Sequence, residues 1–371
     1  MRNLIRIFFI LFITVTVQAQ VSEVKQDTFD VKNALKSVTP YGTIENVLSV
    51  SENGLYISDF IPRVGLKGEW FIDESHKYYM FMKVEFGLNL VSKNDYVHFS
   101  PDPGQPVGKV KQSVFLRLGL IGISTPYGNI SIGRQWGVNY TLAGSIDDMY
   151  LGGGYAIGVY NAGTDGGISG TGRADQVLKY ELTRKRFYLG LQSQFRNITE
   201  NNQFWGDSYG IASYYKFSSI KIGASYNKVL DGVEEPVEME SKINDELLTM
   251  LIDIKKDNFH FGIMPEYFTN HEKNNVGEYY SGWGLEYSVR YHFGKDKKWR
   301  LIQNSFILRT LDSESKYLFN GYTINLAYRF SENTAVIAGF TYDNSIDKDG
   351  SKPQKHILGI GFYYNFNYPV P

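Results

Sequence analysis

Carboxylates in a stretch free of basic residues are the first side chains of this sequence that could act together. No Lys or Arg occurs from Gln135 through Gly172, where the only charged residues are Asp147, Asp148 and Asp165. The stretch is rich in Gly, which allows a backbone to fold tightly. Fixed carboxylates on such a segment can select ions by charge when basic groups stand opposite them.

Three strand-like segments, PRVGLKGEW, SVFLRLGLIG and GRADQVLKYEL, supply the basic groups. Successive side chains of a strand point to opposite faces. The apolar faces carry Val64, Leu66 and Trp70, then Val114, Leu116, Leu118 and Leu120, then Leu178, Tyr180 and Leu182. The opposite faces carry Arg63, Lys67, Glu69, Arg117, Arg173, Lys179 and Glu181. We predict that Arg63, Arg117 and Arg173 point into one cavity and face the acidic stretch.

Arg134 follows a different pattern. It shares its parity with Ile130 and Ile132, which belong to the apolar face of the same segment. We therefore expect Arg134 outside the cavity unless a bulge intervenes, either buried beneath the base of the acidic stretch or at a contact between subunits.

The elements that position these charges are predicted to be β-strands. Segments such as GWGLEYSVRYHFG, GYTINLAYRF and HILGIGFYYNF alternate large apolar residues with polar or small ones. This period of two gives each strand one apolar and one polar face. Aromatic residues recur near the ends of the apolar faces, as they do at the interfaces of a membrane barrel. They are Trp283, Trp299, Tyr322, Tyr342 and Tyr364.

The lengths of the connections favour a membrane barrel over a soluble sandwich, because short turns at one end and long loops at the other are typical of outer-membrane barrels. Short links are predicted near 73–75, 125–128, 183–185, 218–219, 256–258, 294–298 and 331–333, and long ones near 51–60, 90–111, 136–172, 197–206, 229–246, 270–277, 311–317 and 343–355. The predicted fold class is all-β, a transmembrane antiparallel β-barrel of about 16 strands. A barrel of this width leaves an aqueous channel, into which we expect the long third loop to fold.

The ends of the chain and its composition restrict the possible functions. Residues 1–19 have the basic start, apolar run and small-residue boundary of a secretory signal. Residues 20–40 do not alternate and are interpreted as a periplasmic lead-in, so the barrel is placed at 41–371. With 38 basic and 39 acidic residues, the chain has no basic bias towards nucleic acid. It has no Cys and its six His are scattered, so neither a metal site nor a cofactor is predicted.

Four segments, PRVGLKGEW, RLGLIGISTPYGNISIGRQW, SIDDMY and GTGRADQVLKYE, resemble the general Gram-negative porins, which are trimeric 16-stranded diffusion channels of the bacterial outer membrane. The resemblance implies passive diffusion of small hydrophilic solutes and ions, contact with outer-membrane lipid and a homotrimer packed through its first strands. It also implies a pore constriction in which Asp147 and Asp148 on the third loop face Arg63, Arg117 and Arg173.

Three parts of the sequence depart from that family. Such porins end on an aromatic residue, whereas this chain continues from Phe366 through Asn367-Tyr368-Pro369-Val370-Pro371. The acidic connection at 229–246 and the lead-in at 20–40 have no evident counterpart. Phe366 is therefore the expected internal equivalent of the aromatic end.

Other functions stay open at this point. A phosphate-selective porin would need a ladder of Lys and Arg along the pore, and a sugar-selective one would need a file of aromatic residues. A non-transporting surface or receptor barrel would use its long loops, above all the acidic one. An enzyme is disfavoured, because Ser288 and His292, four residues apart on a strand, are separated by about 13 Å.

Overall fold

The computed structural model describes residues 34–52, 54–59, 62–91, 113–147, 152, 154–160, 167, 169–196, 206–230, 244–274, 278–352 and 356–368. Among these residues, no helix is long and apolar enough to cross a membrane. The predicted signal, most of the lead-in, Asp148, Asp165 and most of the acidic connection at 229–246 lie outside the described residues.

Seventeen strand segments account for most of the described chain, together with one six-residue helix, α1, at Val138–Ala143. The strands are β1 Leu35–Ser51, β2 Gly54–Asp59, β3 Arg63–Phe71, β4 Tyr79–Leu88, β5 Val114–Thr125, β6 Gly128–Trp136, β7 Arg173–Arg184, β8 Phe187–Gln194, β9 Ser208–Phe217, β10 Ile220–Val229, β11 Glu246–Lys256, β12 Phe259–Lys273, β13 Tyr279–Phe293, β14 Trp299–Thr310, β15 Leu318–Arg329, β16 Thr334–Asp343 and β17 Ile357–Asn367. A short 3-10 turn at Lys295–Lys297 precedes β14.

The strands close into one antiparallel barrel. From β3 to β17 each strand pairs with the next strand in the chain, and β17 pairs with β1. The segments β2 and β3 both pair with β1, β2 along its second half and β3 along its first. They therefore share one position, so the barrel has sixteen positions and the predicted fold class is confirmed.

The first connection is shorter than the predicted long link near 51–60. β1 ends at Ser51 and β2 begins at Gly54, so the chain turns at once and pairs back. Leu55 and Ile57 of β2 lie opposite Val50 and Leu48 of β1, and all four side chains are exposed. The predicted long link was wrong because these apolar residues extend the outer face.

The start of β1 also differs from the predicted boundary. Leu35 pairs with Trp70 of β3, so residues 35–40 of the predicted lead-in belong to the first strand. The seven short links are turns between consecutive strands, as predicted. Five of these turns contain a residue other than Gly with a positive φ: His76 (55°), Lys185 (51°), Ser218 (48°), Asp257 (53°), and Asp296 (58°) with Lys297 (52°) in the fifth.

The two faces of the wall have the predicted difference in polarity. On β15, Leu326 is exposed, whereas Asn325 and Thr323 on the other face are buried. Aromatic residues pack near the strand ends on the outside, where Trp299 contacts Tyr328 at 4.8 Å between ring centroids. The third connection packs against the polar face, which shows that this face lines the inside of the barrel.

A β-bulge changes the alternation on β5. Glu85 of β4 pairs with Leu118, but the next residue, Phe86, pairs with Leu116. The extra residue at Arg117 reverses the face of the barrel wall to which each later side chain of β5 points. Leu118 is fully buried, so the expectation that it faces outward was wrong, and the exposed positions after the bulge include Ile121 and Ile123.

Candidate functional site

The third connection begins and ends beside one strand pair. The Gly137 amide donates to the Gly172 carbonyl at 2.6 Å, so the two ends of the connection meet at the junction of β6 and β7. The segment between them contains α1. An isolated helix of this length is not stable in water, so contacts with the wall must hold it.

Apolar contacts attach α1 to the inner wall. Leu142 and Ile146 are fully buried in a cluster with wall residues. Leu142 packs over Gly223 of β10, where an added Cβ would come within 2.7 Å of it. Ile146 packs over Gly262 of β12, which has no room for a Cβ at all. Glycines on the wall therefore provide the space into which the connection fits.

Polar contacts fix the same segment along its length. Gln192 of β8 accepts a hydrogen bond from the Val138 amide at 2.7 Å. The Asn139 side chain accepts a hydrogen bond from Thr249 of β11 at 2.9 Å. Glu286 of β13 accepts hydrogen bonds from the Gly154 amide at 2.7 Å and the Ala156 amide at 2.8 Å. Thr323 of β15 donates to the Gly152 carbonyl at 3.3 Å. The described parts of the connection thus lie against the strands from β8 to β15.

Asp147 is held at the end of α1. Its Oδ2 accepts a hydrogen bond from the Tyr160 hydroxyl at 2.8 Å. Trp136 stacks on Tyr140 at 3.7 Å and meets Tyr160 edge-on at 6.5 Å, so the carboxylate sits beside a cluster of aromatic rings. Gly154 approaches Asp147 closely with a φ of +76°.

The basic residues lie on the opposite part of the wall, β3 to β7. Arg117 is buried and its Nε donates to Glu85 Oε1 at 2.8 Å. The Tyr41 hydroxyl donates to the other oxygen of Glu85 at 2.9 Å. The guanidinium of Arg173 lies over the Trp136 ring, 5.4 Å from its centroid.

Tyr140 on α1 lies within electrostatic range of both groups of charges. Burial raises the pKa of its phenol well above the usual range, and the negative charge of Asp147 adds to that shift. Arg63, Arg117 and Arg173 act on the same pKa in the opposite direction. Among the predicted site residues, Arg173 and Asp147 are linked through the aromatic rings of Trp136 and Tyr160. Asp148 lies outside the described residues.

Comparisons with known proteins agree with this architecture. The family described as Gram-negative porin matches residues 12–370. The chain belongs to the Gram-negative porin family. Its fold and family point to a channel rather than an enzyme, and its location is the bacterial outer membrane.

Individual relatives of this porin are distant in sequence. A putative outer membrane porin protein, NmpC of Escherichia coli strain K12, is 25% identical over 229 residues, which are 52% of this chain and 60% of that protein. The structure of Salmonella typhi OmpF in complex with daunomycin has a TM-score of 0.67 at 19% identity, covering 89% of this chain and 97% of that one. An anion-selective porin from Comamonas acidovorans has a TM-score of 0.66 at 13% identity, covering 89% and 99%. Likeness at this level of identity shows the shared fold.

The four other predicted lumen charges each have a partner in this porin. Lys67 lies over the Tyr41 ring at 4.8 Å, and Glu69 pairs with Lys36 at 2.9 Å. Lys179 pairs with Glu181 at 3.0 Å and donates to the Trp136 carbonyl at 3.1 Å, beside the start of the third connection. These contacts place Lys179 at the base of the loop.

Neighbouring residues of β6 point to opposite faces of the wall. The Gln135 side chain is buried and accepts a hydrogen bond from Ser131. Arg134 therefore lies on the other face. Its Nε donates to the Arg117 carbonyl at 3.0 Å, and its guanidinium forms an ion pair with Asp175. Asp175 follows the end of the third connection, so the pair lies near the loop base.

Sequence reasoning did not single out Glu85, Tyr41 or Tyr140. Glu85 could have been found, because it alternates with the apolar residues of YMFMKVEFG on the face shared by Lys83. Tyr41 and Tyr140 gave no such signal. Tyr41 was taken as the edge of the barrel, and Tyr140 lies on a helix inside a segment with no strand pattern.

Proposed function

We propose that this porin is a passive diffusion channel for small hydrophilic solutes and ions, with a charged constriction in its lumen. The observation that carries the proposal is a series of contacts at the base of the third connection: Arg173 lies over the Trp136 ring, Trp136 meets Tyr160 edge-on, and the Tyr160 hydroxyl donates to Asp147. The third connection is attached to the strands from β8 to β15, while the arginines lie on β3, β5 and β7. The solute path then runs between Asp147 and the arginines.

The electric field of such a constriction acts across the path. Water in the lumen weakens each single interaction, but low-dielectric walls concentrate the field between opposite charges. Arg117 contributes less than a free arginine would, because Glu85 balances its charge at 2.8 Å. Arg63 and Arg173 are the other two basic residues of the proposed filter. Asp148 is assigned to the acidic side on sequence alone.

The proposed assembly is a homotrimer in contact with outer-membrane lipid. The outer faces of β3 and β4 carry exposed bulky residues, including Leu66 and Phe86, which subunit contacts would cover. Arg134 and Asp175 add an ion pair on that side of the wall. Native mass measurement in mild detergent should give a trimer that dissociates on heating, and a monodisperse monomer would contradict the assignment.

The reversal potential in a planar bilayer under a salt gradient tests the constriction. A unit charge about 4 Å from an ion in water contributes about 1 kcal/mol, which corresponds to about a fivefold change in the permeability ratio. Asp147→Asn should shift selectivity towards anions within that limit. Replacing Arg63, Arg117 and Arg173 with Ser should shift it towards cations and raise the conductance.

Asp296→Asn is the matched control. Asp296 lies in the exposed turn before β14 with a φ of 58°, which Asn adopts as readily as Asp, and the change removes one carboxylate far from α1. It should leave the reversal potential close to the wild-type value. If Asp147→Asn and the arginine variant both match the control while the trimer stays intact, the third connection is not the filter and a surface receptor becomes the better reading.

A further inference from the structure

His271 is a buried histidine that the proposed constriction does not use. It lies near the end of β12 and is fully buried. Its Nδ1 lies 2.7 Å from Asp245 Oδ1, just before β11, and its Nε2 lies 3.1 Å from the Gly158 carbonyl oxygen. Gly158 belongs to the third connection. One imidazole thus joins the wall to the loop.

Both partners of the ring are hydrogen-bond acceptors. A carboxylate and a backbone carbonyl have no proton to donate, so each ring nitrogen must carry its own. The neutral imidazole has one N–H, and only the imidazolium has two. The geometry therefore requires a protonated His271 for both contacts to be hydrogen bonds.

The ionisable groups around His271 are acidic. Asp245, just before β11, faces Nδ1. Glu272, which follows His271 on β12, lies 3.9 Å from Nε2. Glu266, also on β12, is buried, and a Cβ added to Gly158 would come within 2.7 Å of its Oε2. Glu286 of β13 holds the neighbouring Gly154 and Ala156. The groups facing the site are therefore acidic on every strand that contributes.

A β-bulge puts His271 in this position. The pairing of β12 with β13 is regular to Phe268 and Gly282, then resumes at Glu272 and Tyr280, so β12 contains extra residues. Asn270 within the bulge has a φ of 49°. Strict alternation from Phe268 would send His271 to the outer face. The bulge instead directs it towards the third connection.

We propose that His271 is a positioning residue: its imidazolium holds the third connection against the wall at Gly158, and loss of its proton releases that contact. The inference rests on the proposed role of the third connection in the pore. A neutral ring keeps its single N–H towards the Asp245 carboxylate, which is the stronger acceptor. Its bare Nε2 then faces the Gly158 carbonyl. The contact is present at low pH and is lost as the pH rises through the titration of His271.

Thiol labelling tests this directly, because the chain contains no cysteine. Val159 is fully buried next to Gly158, so a Val159→Cys thiol is shielded while the contact holds. An uncharged water-soluble maleimide is added to the full-length trimer in detergent at several pH values from about 6 to about 10, a range that begins near the usual pKa of imidazole. The Val159→Cys protein is compared with the same protein carrying His271→Gln. The quantity compared is the labelling rate of the His271→Gln protein divided by that of its parent. This ratio cancels the intrinsic pH dependence of the thiol.

We expect the His271→Gln protein to react about tenfold faster at the acidic end, the size of effect given by one charge-assisted hydrogen bond. The ratio should fall towards one as the pH rises. His260→Gln is the matched control, since His260 lies on β12 but contacts Asp253 and Arg290 rather than the loop. A ratio that does not change with pH, or an equal effect of His260→Gln, would overturn the proposal.

A second variant tests the role of His271 if the His271→Gln protein does not form trimers. Asp245→Asn keeps the histidine but removes the carboxylate that favours its charge, so release should occur at lower pH than in the parent. Identical labelling of the Asp245→Asn and parent proteins at every pH would refute the proposal. These rates do not depend on ion selectivity. Labelling rates that contradict the His271 contact, together with a shifted reversal potential in Asp147→Asn, would refute the role of His271 alone. The reverse result would refute the constriction alone.

Discussion

Arg117 and Glu85 form a buried ion pair between neighbouring strands, with Nε of Arg117 2.8 Å from Oε1 of Glu85. The Tyr41 hydroxyl satisfies the second carboxylate oxygen, and Lys83 lies 3.8 Å from it. The basic side of the proposed constriction therefore contains its own acid. Its net charge depends on Glu85 as much as on the arginines.

Because Arg117 and Glu85 balance each other, substitutions of these two residues should shift ion selectivity in opposite directions. Glu85→Gln should shift the reversal potential towards anions, because Arg117 is no longer balanced. Arg117→Ser should shift it towards cations. Breaking a buried pair costs about 3–5 kcal/mol, so each single variant should also lower the temperature at which the trimer dissociates. The double variant should recover much of both changes, and strictly additive effects would contradict the pairing.

The barrel could be predicted from the sequence because its strands obey a simple rule. Residues facing lipid must be apolar and residues facing water need not be, so segments such as GYTINLAYRF show a clear period of two. The short turns were placed correctly for a related reason, since they interrupt that period with polar residues. Their positions and the closed topology are confirmed.

The error on β5 arose where one extra residue changes the period. The bulge at Arg117 moved Leu118 from the predicted outer face to a buried position. The bulge at Asn270 turned His271 inward, where strict alternation would place it outside. A bulge leaves little trace in composition, so parity is reliable only between bulges. The constriction itself stays a prediction from charge and parity, to which the structure adds Glu85 and Tyr140.

Leu326 tests which face of the wall meets lipid. It is 38% exposed on β15 and lies between Ala338 of β16 and Leu301 of β14. A basic residue on the lipid face near the middle of the membrane costs about 2–4 kcal/mol. Leu326→Arg should therefore reduce folding into lipid vesicles, measured by gel mobility before and after heating. Leu326→Met, which keeps the apolar character, should fold like the wild type, and equal folding of both variants would contradict the face assignment.

Tyr140 should stay neutral when the solution becomes alkaline. A free tyrosine ionises near pH 10, and an ionised Tyr140 would add a negative charge beside Asp147. Burial first, and then the charge of Asp147, raise the pKa of this phenol well above that range. The reversal potentials of the wild type and Tyr140→Phe should therefore change in parallel up to about pH 10. A shift towards cations in the wild type alone would show that Tyr140 ionises and that the charges around it are assigned incorrectly.

Gly262 and Ile146 test whether the third connection rests on the wall as the structure places it. A methyl group on Gly262 would overlap the Ile146 side chain, which is fully buried in the same cluster. Inserting a methyl group into such a packed site costs about 1–3 kcal/mol, so Gly262→Ala should displace the loop and change the single-channel conductance. Ile146→Ala alone leaves a cavity and should also weaken the attachment.

The combination of these two changes gives the decisive measurement. Ile146→Ala removes the atoms that the new methyl group would meet, so the double variant should conduct more like the wild type than Gly262→Ala does. Gly223→Ala is a useful comparison, because it meets Leu142 rather than Ile146 and should not be rescued by Ile146→Ala. Rescue of both glycine variants, or of neither, would mean that the loop is not seated on β12 through Ile146. Specific rescue of Gly262→Ala would place the third connection inside the lumen by a measurement that does not depend on charge.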